Sequence, residues 1–485
     1  MDSLRLILAL SPFLIFCLLL LFRHSASLLK ISFFTLFITI IIALLFWYCP
    51  LSVVTTSLFQ GLLTAIDILL IIFGAIFFLE ILKKNKVTES LALYLDNFSS
   101  DLRIQVIMLA WFFENFLEGI AGFGTPSTVV APLLIALGLS PLKAVVIALL
   151  GNSTSVPFGA VGTPIRIGLA AVNPESISMA TTTAFYNLTG FIVPLFMLWV
   201  LVSSEKNRKT LFQEAFPFAL WSGIAFVVPS YIISFFGIEF PSILGSIIGI
   251  LLVILTSRLD IFIPKNTYSY HQSKTKSVNV LSLRKTIFPY LLFIGLLIFS
   301  KLLLNNANPG IVFIVTTLIV ALYSQIKWSE IFNTGRLAIG KSIESFLVIG
   351  AMSAMVQLMN NSGNTLHGLP SITQSISTLF STQILPILAP FIGAIGSFIT
   401  GSATVSGIMF ASSVHSSSLS LGLDPIKILG LTLVGAGAGN MIALSDVLVA
   451  KTVAASTEPL RKIILSLLPF CLIYLSLIAL SGYLF

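Results

Sequence analysis

Leu137-Gly-Leu-Ser-Pro-Leu-Lys143 recurs as Leu421-Gly-Leu-Asp-Pro-Ile-Lys427, 284 residues further along the chain. Upstream, Gly122-Phe-Gly-Thr-Pro-Ser127 is echoed by Gly401-Ser-Ala-Thr-Val-Ser406 at an offset of 279, and Gly151 and Gly435 again stand 284 apart. Chance matches among Gly, Leu and Ser are common, but ordered matches at nearly one offset are not, so we read an internal duplication. Both copies lie in regions, 118–170 and 396–456, that are apolar on average yet crowded with Gly, Pro, Ser, Thr and Asn.

The rest of the chain is more uniformly apolar. Of 485 residues, 57% are hydrophobic and 9% charged, with a mean hydropathy of +1.05. Soluble domains carry about 25% charged residues. A soluble enzyme, a nucleic-acid binder and a disordered chain are therefore excluded. The first apolar segment, 4–22, is longer than a signal-peptide core of about 7–15 residues and is read as a retained helix. Further spans are expected at about 31–49, 53–82, 103–117, 185–202, 215–236, 240–257, 287–304, 311–326, 342–360, 371–395 and 462–483. The expected fold is an all-α polytopic membrane protein with about 12 or more transmembrane helices, each needing about 20 apolar residues.

Net charge is +8. In a membrane protein this reflects basic cytoplasmic loops rather than a nucleic-acid partner. Segment 258–285 holds Arg258, Lys265, Lys274, Lys276, Arg284 and Lys285 against Asp260 alone. It reads as a basic cytoplasmic loop joining two halves, 1–240 and 287–485. Counting spans from it makes Lys83–Lys86 cytoplasmic and the equivalent stretch near 362–370, free of Lys and Arg, external. Equivalent loops on opposite faces mean two inverted repeats.

Inverted repeats with Gly- and Pro-interrupted segments at matching positions point to a secondary transporter. Broken or re-entrant helices there expose backbone N–H and C=O groups, tolerated only where protein or a water-filled cavity surrounds them. Four such segments are expected: 118–127, 151–164, 396–407 and 435–446. Packing of helices through small residues is the plainer alternative for any one of them.

Glu118 ends an apolar run beside the first break, one turn after Glu114. An intramembrane carboxyl is a functional candidate by default, and a carboxyl held away from water binds protons more readily. Glu118 is the candidate for the coupling proton, with Asp446 as a second; bracing of a broken helix, and pairing of Asp446 with Lys451, are the plainer alternatives. Asn152-Ser-Thr-Ser155 and Gly159-Ala-Val-Gly-Thr-Pro164 suit a carboxylate substrate or a sodium ion. Arg166 is the attractive fixed cation, or else a helix-end arginine. From Ser345 to Leu423 there are 79 residues without Asp, Glu, Lys or Arg, so Gly401–Ser406 can bind only through hydroxyls and backbone. The histidines are far apart, the cysteines show no ligand spacing, and no metal or cofactor is expected.

Glu118-Gly-Ile-Ala-Gly-Phe-Gly-Thr-Pro126, Pro132-Leu-Leu, Leu137-Gly-Leu139, Asn152 and Phe158-Gly-Ala-Val-Gly162 closely resemble the signature of the L-lactate permease family. The resemblance implies transport of L-lactate or a related 2-hydroxy monocarboxylate across the bacterial inner membrane by proton symport. It is specific mainly over 113–165. Family members tend to carry Asp at the position of Ala403 and Lys at that of Asn440. Carried over, the substrate-binding candidates are Gly122, Gly124, Thr125, Asn152, Gly159, Gly162, Ser402 and Thr404, to which Arg166 and Asn440 are added. The expected partners are a small organic anion with a proton, or sodium, and the lipid bilayer; homo-oligomerisation stays open. The alternatives are a sodium-coupled carrier of a different organic anion, a channel, or an intramembrane enzyme. No nucleophile–base pair supports an enzyme.

Overall fold

The computed structural model describes residues 3–22, 28–96, 98–122, 125–269, 281–303, 308–363, 368–378 and 382–485. The elements that carry the fold among them are all helices. The recurring Gly-Leu-x-Pro motif is a helix start. Ser140 and Asp424 each cap a helix, accepting the N–H of Lys143 and Ile426, and Pro141 and Pro425 follow as first helical residues. A capping side chain satisfies an orphan N–H, and Pro there has none to lose.

Among the described residues, nine helices are long and apolar enough to cross a bilayer, or ten if Pro141–Gly151 and Val156–Arg166, bent by 58°, form one broken span. That is fewer than the twelve or more expected. Some expected spans are short apolar helices, such as Pro309–Tyr323. The single span expected at 371–395 is instead two elements, Ile372–Ser377 and Leu385–Thr400. A capping box on Ser371 and Gln374 starts the first, and Pro386 sits at the start of the second.

The duplication extends through the helix order. Ser3–Phe22 corresponds to Leu283–Leu303, Leu28–Phe46 to Pro309–Tyr323, and Ser176–Val202 to Leu460–Leu484. Leu51–Lys84 corresponds to Trp328–Asn361, and both have 34 residues. Arg208–Ser234 and Pro241–Arg258 follow the first copy without a counterpart in this order. The two 34-residue helices pack together. Lys84, at the end of one, pairs with Glu330, at the start of the other, at 2.9 Å, and Lys341 pairs with Glu80 at 2.9 Å. Equivalent helices therefore run antiparallel, as inversion of one copy requires.

Each copy then builds a helix–break–helix hairpin followed by an interrupted span. In the first, Leu102–Ala121 ends before Gly122 and Thr125–Ala136 follows, and Pro141–Gly151 breaks at 152–155 before Val156–Arg166, with a bend of 58°. In the second, Leu385–Thr400 breaks at 401–402 before Ala403–Ser420, and Pro425–Asn440 breaks at 441–443 before Leu444–Val453. All four fall inside the segments expected to break. Gly151 and Gly435 are the contacts that let the two interrupted segments of each copy pack together. A Cβ at Gly151 would fall on the carbonyl oxygen of Ala110, and one at Gly435 on that of Pro390. The same backbone-to-backbone contact is thus made once in each copy.

Arg103 fixes the near end of the first hairpin. Fully buried, it donates to both carboxyl oxygens of Asp101 at 3.0 and 2.7 Å, to Glu214 at 3.1 Å, and to the carbonyls of Leu211 and Asn266 at 3.0 and 2.6 Å. It ties the span to its neighbour and to the start of the basic link. Removing an arginine that leaves acids unpaired is costly, about 3–5 kcal/mol for a buried pair.

Gly151→Ala and Gly435→Ala are each expected to destabilise the protein by about 1–3 kcal/mol through overpacking against backbone. Thermal unfolding of the purified protein in detergent checks this; Gly295, whose Cβ would meet nothing within 4 Å, supplies the neutral control as Gly295→Ala.

Candidate functional site

Where the broken helices of the two copies meet, they line a small, partly open cavity. From the first copy, Glu118, Gly122, Val156, Gly159, Ala160, Thr163 and Pro164 line it; from the second, Gly401, Ser402, Ala403, Thr404 and Asn440. None of these residues is basic.

The breaks shape the walls. Gly122 (φ +60°) ends the Glu114–Ala121 helix and Gly401 (φ +70°) ends Leu385–Thr400. A side chain is rarely tolerated at such angles, which is why the two repeats share glycine here. In the second copy the next helix begins at Ala403, and its first residues, Ala403 and Thr404, line the cavity. Ser402 caps this helix, its hydroxyl accepting the N–H of Val405 at 3.3 Å. Such an N-terminus presents unsatisfied N–H groups and the positive end of the helix dipole, a natural seat for an anion. Against Gly122 lies Ala160, which with the following Val161 and Gly162 adopts left-handed angles, φ 43°, 58° and 77°. Non-glycine residues at such angles are sparse and cluster at functional sites.

Backbone groups freed by the breaks find partners from neighbouring helices. Asn187 donates to the carbonyl of Thr154 at 2.7 Å, and its amide oxygen accepts the hydroxyl of Tyr474 at 3.2 Å. Ser242 donates to the carbonyl of Ser155 at 3.1 Å. The last span of each copy therefore supports the break of the first.

Glu118 is buried, and its Oε2 has no hydrogen-bond partner. Its Oε1 occupies the space a Cβ on Gly159 would need, which explains glycine there. Asn152 lies next to it and offers its amide to the carboxyl. From the second copy, Asn440 receives the hydroxyl of Ser397 at 3.1 Å and donates to Asp446 at 2.9 Å; Ser445 donates to the other Asp446 oxygen at 3.2 Å. Asp446 is thus bound by neutral donors rather than by Lys451.

Of the residues singled out from sequence, Glu118, Gly122, Gly159, Ser402, Thr404 and Asn440 line the cavity, while Asn152 and Asp446 stand directly behind it. Gly124 lies outside the described residues, as does His367, and Thr125 begins the helix after the first break. Gly162 is not among the lining residues; a side chain there would strike Ile238, in the link between Arg208–Ser234 and Pro241–Arg258. Arg166 likewise turns to that link and pairs with Glu239. Sequence reading missed Thr163, Ser397, Ser445 and Glu239. The first is the Thr of Gly-Thr-Pro164, a signal present in the motif; an acid 73 residues from its arginine leaves none.

The chain matches the family model described as L-lactate permease over residues 5–307 and 296–485. Among curated proteins it is 28% identical to a putative L-lactate permease of Haemophilus influenzae, over 79% of this chain and 80% of that protein. It is 29% identical to the L-lactate permease of Streptococcus iniae over 67% and 72%, and 25% identical to that of Bacillus subtilis over 86% and 84%. With its apolar membrane-length helices, the chain is a multi-pass protein of the bacterial cell membrane. It belongs to the L-lactate permease family.

Proposed function

We propose that this protein carries L-lactate, or a related 2-hydroxy monocarboxylate, across the membrane together with a proton. The observation that carries the reading is the charge of the cavity. Its described lining offers an acid, Glu118, and no basic side chain. Asp446, also acidic, stands just behind. A carboxylate substrate entering beside an ionised Glu118 meets repulsion in a site with little water to screen it. Protonation of Glu118 removes that repulsion, so anion and proton bind together. This is the thermodynamic content of symport.

The groups available suit the anion. N–H groups of Ala403 and Thr404, at the start of the Ala403–Ser420 helix, would hold the carboxylate. The hydroxyls of Thr163, Ser402 and Thr404, with Asn440, would meet the 2-hydroxyl. Asp446, satisfied by Asn440 and Ser445, orients Asn440 and is the secondary proton site. Arg166 and Glu239 form a clasp beside the cavity wall that holds the 235–240 link against the left-handed segment.

A relation to permeases supports a transporter rather than an enzyme, and the two inverted halves suit alternating access to the site between them. The rival is a sodium-driven carrier of another organic anion, which would use Asn152, Ser153 and Thr154 as oxygen ligands.

In proteoliposomes, labelled L-lactate is expected to accumulate under an imposed pH gradient, and a sodium gradient alone to drive none. Glu118→Gln should abolish accumulation while leaving counterflow exchange. Accumulation driven by sodium alone, or retained by Glu118→Gln, would refute the assignment.

For the clasp, Arg166→Met and Glu239→Gln should each lower thermal stability, and the double variant should lose less than the sum. A coupling of about 0.5–3 kcal/mol is expected for groups in direct contact; additive losses would mean that the pair does not act as a unit.

A further inference from the structure

Glu114 is fully buried, and neither of its carboxyl oxygens has a hydrogen-bond partner. It lies one turn before Glu118 on the Glu114–Ala121 helix. Residues so spaced share a face, their Cβ atoms about 5–6 Å apart. Both acids press on one stretch of the second hairpin. A Cβ on Gly151 would lie 3.2 Å from Glu114 Oε2, as one on Gly159 would meet Glu118 Oε1. Among the described residues, the surrounding helices bring no cation to either acid. Lys143 binds the Leu201 carbonyl and the Ser204 hydroxyl, Arg166 pairs with Glu239, and Arg103 is taken by Asp101 and Glu214. Lys84 pairs with Glu330 and Lys341 with Glu80, and Glu89 faces Tyr290. Asp446, which faces Glu118 from the second copy, adds another acid. Glu114, with neither cation nor donor among the described residues, is accommodated as the neutral acid.

We propose that neutral Glu114 is the hydrogen-bond donor that stabilises the Glu118 carboxylate in the empty carrier. The inference rests on the reading of Glu118 as the coupling group. A symporter needs Glu118 in two states: neutral beside the bound anion, and ionised once substrate and proton have left. The second state is the difficult one here, because no fixed cation serves it. A rotamer change at either residue brings the Glu114 hydroxyl to Glu118 and forms an O–H···O⁻ bond, a strong charge-assisted contact. The proton on Glu114 stays in place; the one released with substrate comes from Glu118. Glu114 is thus a positioning residue that never touches the substrate.

The test separates net transport from exchange, because exchange does not require the empty, ionised carrier to return. In proteoliposomes, Glu114→Met should lower net lactate uptake under a pH gradient by about 10- to 100-fold, the worth of a hydrogen bond to a charged group. Counterflow should stay close to wild type. Glu114→Gln, whose amide still donates, should restore most of the net uptake. Infrared difference spectra offer a readout that does not depend on the Met variant. A protonated-carboxyl band missing in Glu114→Gln should be present at all working pH values and shift when Glu118 ionises. Unchanged net uptake in Glu114→Met, equal loss of net uptake and counterflow in both variants, or no such band would overturn the proposal. So would sodium-driven uptake lost in Glu114→Gln, which would make the residue a metal ligand. Failure of the underlying reading is distinguishable, because it shows in Glu118→Gln with Glu114 intact.

Discussion

A helix that stops inside a membrane protein leaves N–H and C=O groups with no water to bind, and every such group must find a partner. Here that demand arises four times in the middle of an apolar chain. The answer is close approach: Gly151 and Gly435 let one backbone settle on another, and side chains from the flanking spans reach the freed carbonyls. Among the buried atoms left without a partner is Glu118 Oε2, beside the small cavity. The constraint that makes broken helices rare is also what concentrates the polar groups where an ion can use them.

Electrostatics divides the charged residues into two populations. Arg103 and Arg166 are consumed by Asp101, Glu214 and Glu239 and hold links and span ends in place. Glu114, Glu118 and Asp446 lie deeper and have no cationic partner among the described residues. Asn440 fits this division, since its neutral amide donates to Asp446. Charge balance in the interior then falls to mobile ions rather than to fixed side chains.

Much of this was legible in the sequence, for identifiable reasons. The Gly-Leu-x-Pro repeat is local chemistry, a cap followed by a proline, and it marks equivalent helix starts in both copies. Gly151 and Gly435 match because the same carbonyl contact recurs. Glu118 stood out as a carboxyl in an apolar run. Contacts between distant segments were not legible. The pairing of Arg166 with Glu239, the support of Thr154 by Asn187 and Tyr474, and the left-handed angles at Ala160 and Val161 depend on tertiary packing that no local pattern encodes. Apolar runs also do not reveal where a helix is short, and the described residues give nine or ten membrane-length helices against about twelve expected.

The antiparallel pair Leu51–Lys84 and Trp328–Asn361 gives the molecule a mechanical axis. At 1.5 Å per residue each helix is about 50 Å long, well beyond the roughly 30 Å of the hydrocarbon layer. Ion pairs tie the end of one to the start of the other. A strut that draws one member from each copy resists sliding of one whole copy past the other. The parts free to move are the hairpins hung on either side of it, so the geometry favours a fixed frame with a smaller travelling element that carries the cavity.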